Sequence, residues 1–192
     1  MDGGNMVGVA QSVSGALATL AIVTAAYALS ALLTFQLLQP LQNLAFGALP
    51  FTISLLHLPH TVRILAAYFL GWRSVAYLFP VSVASVYVTH AQDQGGMTLL
   101  ALGTLISVVG YVGILSACAI KNLLFPLLPQ KKDWIVLLIA GAIASVLNTM
   151  GHALLLPVAT ETGVGYFIGD IGGLFFTLIA LIYVFRIFDK KG

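Results

Sequence analysis

Charge is what this chain has least of. Asp, Glu, Lys and Arg make up 7% of its 192 residues, against 60% hydrophobic ones. An ordinary soluble domain is about 25% charged. So little polar surface cannot cover such a chain in water, which excludes a soluble globular domain. Disorder is excluded by the same numbers, because it requires low hydrophobicity and high net charge. A single cysteine, Cys118, excludes a disulfide scaffold. A net charge of +2 without a basic stripe excludes nucleic acid as a partner. Catalytic signatures are missing too. The chain has no GxSxG, no P-loop and no GxGxxG after a strand, so no enzyme activity is expected and no catalytic residue is assigned.

What is there is a set of long apolar runs. A bilayer core of about 30 Å needs about 20 apolar helical residues to cross it. A membrane barrel would alternate polar and apolar residues in segments of about 10. These runs are apolar on all sides, so the expected fold is all-α: a polytopic transmembrane helix bundle, one integral membrane domain over residues 1–192. Clear spans fall at 14–38, 98–120, 134–156 and 165–185. The apolar stretch 44–89 is too long for one crossing and carries Arg63 and Arg73. Two spans, 51–70 and 75–89, turning at Gly71-Trp72-Arg73, put Arg73 at the interface beside a tryptophan. A single long helix over 62–89, with 44–58 dipping in and out, would strand Arg73 in mid-membrane at about 2.5–3.5 kcal/mol. Six spans are therefore expected, with five plus a re-entrant segment as the alternative.

Lys121, Lys131, Lys132, Arg186, Lys190 and Lys191 collect on one side, whereas the loops at 92–96 and 159–162 hold no Lys or Arg. The positive-inside rule makes the basic side cytoplasmic, with both termini inside. The N-terminal segment lacks the charged start of a cleavable signal, so the first span is expected to be retained. No loop is long enough to fold as a soluble domain. The expected location is a bacterial inner (plasma) membrane, and any signal must pass through the lipid bilayer or a membrane or cytoplasmic protein partner.

Several features inside the spans stand out. Small residues recur at helical spacing: Ala18, Ala21, Ala25 and Ala28 in the first span, Gly103 and Gly110 in the fourth, and Gly165, Gly169 and Gly173 in the last. Such residues let backbones approach closely in lipid. Internal packing of the bundle is the expectation, with homo-oligomer contact second. In the fifth span Ser145, Asn148, Thr149 and His152 form one polar stripe, which must face the bundle interior or a wet cavity. It reads equally as a pocket wall or as interhelical hydrogen bonding.

Arg63 and Asp170 are the charges inside spans, and intramembrane charges point to function with a partner. By helical register Arg63, Asp170, His57, His60 and His152 fall in the outer half of the membrane at overlapping depths. Arg63 and Asp170 are expected to pair, or to line together a polar cavity for a small-molecule ligand, with His57, His60, Asn148 and His152 around them. A purely structural salt bridge is the competing reading. His57, His60, His90 and His152 invite a metal or haem, but Pro59 breaks the helix between the first two, and no Cys or carboxylate has ligand spacing. No metal and no cofactor are expected. Ser145 and His152 lie two turns apart on one helix, too far for a protease dyad.

Residues 58–80, LPHTVRILAAYFLGWRSVAYLFP, resemble a segment of MASE-type membrane-associated sensor domains: a Pro-containing half-helix leading to a Gly-aromatic-Arg turn. YFIGDIGGLFF at 166–176 resembles the Gly-Asp…Gly-Leu stretch of that family's last helix. The resemblance covers roughly residues 45–188. It implies an integral sensory module and carries over Pro59, Arg63, Gly71, Arg73, Gly169, Asp170 and Gly173. The family is usually fused to cytoplasmic kinases or cyclic-dinucleotide enzymes, whereas this chain ends at Gly192, so signalling through a separate partner is expected. In size and in its Ala-rich first helix, notably Ala21 and Ala25, the chain also resembles the substrate-binding subunits of energy-coupling-factor vitamin transporters. An accessory subunit of a larger membrane complex is a third expectation.

Overall fold

The computed structural model describes residues 3–47, 54–124, 133–156 and 160–189. Every regular element among them is helical. Helix α1 (Gly3–Leu32) runs through a π-helical stretch (Leu33–Leu38) into α2 (Gln39–Phe46). Then come α3 (Leu58–Leu70), α4 (Arg73–His90), α5 (Gly96–Leu124), α6 (Asp133–Leu155) and α7 (Thr160–Asp189). Four stretches are long and apolar enough to cross a membrane: Val13–Phe46, Gly96–Leu123, Trp134–Leu155 and Gly163–Phe188. The first, at 34 residues, is about 51 Å of helix and overshoots a hydrocarbon core.

The second expected span takes a different form. Instead of a helix over 51–70, α3 has 13 residues, about 20 Å, and residues 54–57 ahead of it are not helical. Residues 51–53 lie outside the described ones, as do Lys131, Lys132, Lys190 and Lys191. Pro59 does not interrupt this helix but opens it, at a position where its missing N–H costs nothing. Gly71 closes it at φ +57°, and its N–H donates to Ala67 O at 3.0 Å. His57 is therefore the residue before the helix and His60 belongs to its first turn, so the two do not share a helical face.

Short as it is, α3 is the axis of the bundle. It packs against α1, α4, α5, α6 and α7, and buries Pro59, His60, Thr61, Arg63, Ile64, Ala66 and Ala67. Ile64 joins Val109, Leu137, Ala144, Leu174 and Leu178 in the main apolar cluster. Glycines allow the approach. A Cβ on Gly110 would sit 3.0 Å from Arg63 O, and one on Gly113 would strike the backbone of Ala140. Outside, large apolar side chains such as Leu29, Phe69, Val88 and Leu154 are exposed, while His60, Arg63, Ser145 and Asp170 are buried. Polar inside and greasy outside is the arrangement lipid demands.

One packing expectation fails. Ala18, Ala21, Ala25 and Ala28 are exposed. α1 meets the bundle through Val23, Tyr27 and Ser30 instead, a face that Thr34 continues in the π-helical stretch and that also recurs at helical spacing. Gly165, Gly169 and Gly173 are buried as anticipated.

Candidate functional site

The site begins with an unusual backbone. Residues 54–57 have no helical hydrogen bonds, yet they lie inside the bundle, where each peptide group needs a partner. The partners come from three directions. Leu55 N–H donates to Gln42 Oε1 at 2.6 Å, His57 N–H to Gly169 O at 2.8 Å, and Leu58 N–H to Thr34 Oγ1 at 3.1 Å. Gly169, Gly172 and Gly173 make room for this segment. A Cβ on any of them would collide with the carbonyl oxygen of Ser54, Leu55 or His57 respectively. The glycines of α7 thus seat the start of α3, and the start of α3 sets where His60 and Arg63 point.

Arg63 is 2% exposed, and Asp170 is 1% exposed. Their side chains meet loosely. Nη2 of Arg63 stands 3.9 Å from Oδ1 of Asp170, Nη1 donates to Asn148 Oδ1 at 3.4 Å, and Nε–H has no partner. Asp170 is held more firmly from its other side. Ser145 Oγ donates to Oδ2 at 2.9 Å, and His60 Nδ1 lies 3.4 Å from the same oxygen. Nε2 of His60 is 3.1 Å from Gly141 O, which can only accept, so Nε2 carries a proton. Nδ1 of His60 makes no hydrogen bond.

Arg63 and Asp170 line a cavity of about 210 Å³. His57, Asn148 and His152 line it as well. Five of the six expected cavity residues are thus in its wall, and His60 backs Asp170 from behind. His152 Nδ1–H donates to Asn148 O at 2.9 Å, and its ring lies 5.5 Å from that of Tyr166. In the polar stripe of α6, Ser145, Asn148 and His152 are buried, while Thr149 is half-buried with Oγ1 unpartnered. Ser145 serves Asp170, not His152. The structural residues divide. Gly169 and Gly173 seat the segment 54–57 and Pro59 joins the cavity wall. Gly71 and Arg73 lie at the far end of α3, where Arg73 stands 5.9 Å from the Trp72 ring and Trp72 is 65% exposed.

Among the wall residues that the sequence does not single out as site members are Tyr27, Phe35, His90 and Tyr166. Tyr27 and Phe35 share a face of one helical run at i and i+8, a periodicity that the alanines obscured. Tyr166 lies four residues before Asp170, on the same face of α7. His90 stands out in the sequence only as one of four histidines. Among the described residues no three His, Cys, Asp or Glu side chains converge as a metal site. Comparison with protein-family models, curated proteins and solved structures finds no match for the chain.

Proposed function

We propose that this chain is an integral membrane ligand-recognition module of sensor-like character, acting in the bacterial inner membrane through a partner protein. The observation that carries the reading is a buried guanidinium with an unpartnered Nε–H, on a residue that lines a cavity. A structural salt bridge would bring its partners to hydrogen-bond distance. Arg63 stops at 3.9 Å from Asp170 and borders a space instead. The cavity draws its wall from α1, α3, α4, α5, α6 and α7, so occupancy bears on every major helix at once. The resemblance of residues 58–80 and 166–176 to MASE-type sensor domains points the same way.

In this reading the chain crosses six times with both termini cytoplasmic. The exposed Trp72–Arg73 pair, Lys121 near the end of α5 and Arg186 in the last turn of α7 anchor the inner side. Residues 54–57 with α3 make one broken crossing, which sets Arg63, Asp170 and His57 in the outer half. The interrupted helix favours a second reading, substrate capture for an uptake transporter, because transport proteins build sites on such interruptions. Neighbouring genes for an ATPase pair and a coupling subunit would select it; a neighbouring kinase or cyclic-dinucleotide enzyme would select sensing.

Native mass spectrometry in mild detergent tests the cavity. Small-molecule adducts on the wild type that vanish in Arg63→Ala are the expected result. No adduct on either protein would make the chain an accessory subunit of a larger complex.

A further inference from the structure

We propose that the cavity takes a small carboxylate, docked on the guanidinium of Arg63. The proposal rests on the cavity being a ligand site and specifies its chemistry.

The unused hydrogen-bonding capacity of the site is donor capacity. A guanidinium offers five N–H groups in a planar fork. Arg63 uses them on one bond of 3.4 Å to Asn148 and one contact of 3.9 Å to Asp170, and its Nε–H is unpartnered. A buried cation this poorly matched is costly unless something else satisfies it. Asp170 does not complete the task. Its Oδ2 already receives Ser145, and its Oδ1 stands 3.9 Å from Nη2, beyond hydrogen-bond distance. The unpartnered donor lies on Arg63.

The rest of the wall agrees. His57 and Pro59 place the N-terminal end of α3 at the cavity, and side chains on a helix lean toward its N-terminus, so Arg63 and the positive end of the α3 dipole act together. A cationic ligand would meet Arg63 and the helix end and would leave the Nε–H of Arg63 unpartnered. A phosphate dianion would bring two charges to a site with one guanidinium. A monoanion with a planar two-oxygen head fits the fork bidentately.

Size and lining narrow the class. About 210 Å³ corresponds to about seven waters at ~30 Å³ each, below the ~300 Å³ at which drug-sized pockets begin. Phe35 and the rings of Tyr27 and Tyr166 add apolar surface to the wall, Phe35 beside His57 and Tyr166 beside His152. The ligand is a compact acid with an apolar body, aliphatic or a single ring.

The experiment uses the full chain in mild detergent and measures binding by calorimetry and by thermal shift. The probes are acetate, hexanoate and benzoate, each with its neutral amide and its amine counterpart. At least one acid should bind the wild type tenfold or more tighter than its amide. Arg63→Gln should abolish that preference, and Arg63→Lys, which keeps the charge but not the fork, should retain only part of it. If Arg63→Gln does not fold, the acid-against-amide comparison on the wild type still decides. Amides binding as well as acids, or amines binding better, would overturn the carboxylate and leave the ligand cavity standing. No binding by any of the probes would overturn the carboxylate, and, together with an absence of adducts in the mass spectra, the cavity reading as well.

Discussion

Asp170 and Arg63 differ in how much each depends on the other, and a double-mutant cycle makes that difference measurable. Two unit charges at their 3.9 Å separation attract by about 4 kcal/mol in an environment of effective dielectric ~20. Both charges are delocalised, so a coupling of about 2–3 kcal/mol is expected from the cycle. The single costs should be unequal. Asp170→Asn leaves Arg63 buried with one long hydrogen bond to Asn148, at about 3–5 kcal/mol. Arg63→Gln leaves Asp170 with its Ser145 bond at 2.9 Å, so about 1.5–3 kcal/mol is expected, the range for a lost hydrogen bond to a charged group. The double variant should cost less than Asp170→Asn alone, since it removes the stranded charge. Arg73→Gln, on an exposed arginine at the bundle edge, serves as control and should fall within about 0.5 kcal/mol of wild type. Unfolding by SDS titration from mixed micelles gives all five values. Equal single costs that simply add in the double variant would refute the reasoning, because they would mean the two side chains do not sense each other.

Two further substitutions test how the site is supported. Gly173→Ala pushes a Cβ into the backbone of His57, with no flexible side chain to yield, and should destabilise by about 1–3 kcal/mol, whereas Gly15→Ala, with nothing within 4 Å, should be neutral or slightly stabilising. Equal midpoints for the two variants in the same SDS titration would contradict the seating role of α7. Thr34→Val keeps the shape but removes the oxygen that accepts Leu58 N–H, and should cost about 1–3 kcal/mol; hydrogen exchange at Leu58 should speed up in that variant and not at His57, whose N–H is held by Gly169 O.

Much of this architecture is legible in the residue order because its causes are local. Apolar runs exclude any polar surface, so α5, α6 and α7 fall where length and hydropathy place them, within a few residues at each end. Pro59 and Gly71 punctuate α3 by their own backbone constraints. Arg63 and Asp170 stand out because charge in an apolar span is rare, and their meeting follows from similar depth. The π-helical stretch, by contrast, has no marker in LTFQLL. Nor does anything in residues 54–57 forbid a helix ahead of Pro59. That segment is non-helical because Gln42, Thr34 and Gly169 satisfy its peptide groups better than its neighbours would. The alanines of α1 misled for a similar reason: spacing identifies a face, but not which of two faces meets the bundle.

Hydropathy and backbone stereochemistry act residue by residue, so a membrane-embedded helical bundle, the end of α3 at Gly71, and the oddity of two buried charges were all contained in the amino-acid order. How the charges stand toward each other was not. A contact of 3.9 Å where a bond was possible, a guanidinium nitrogen left over, and a cavity beside it arise from six elements distant in the chain. Such distances are set by packing, in which three glycines on α7 determine where a segment more than a hundred residues earlier comes to rest.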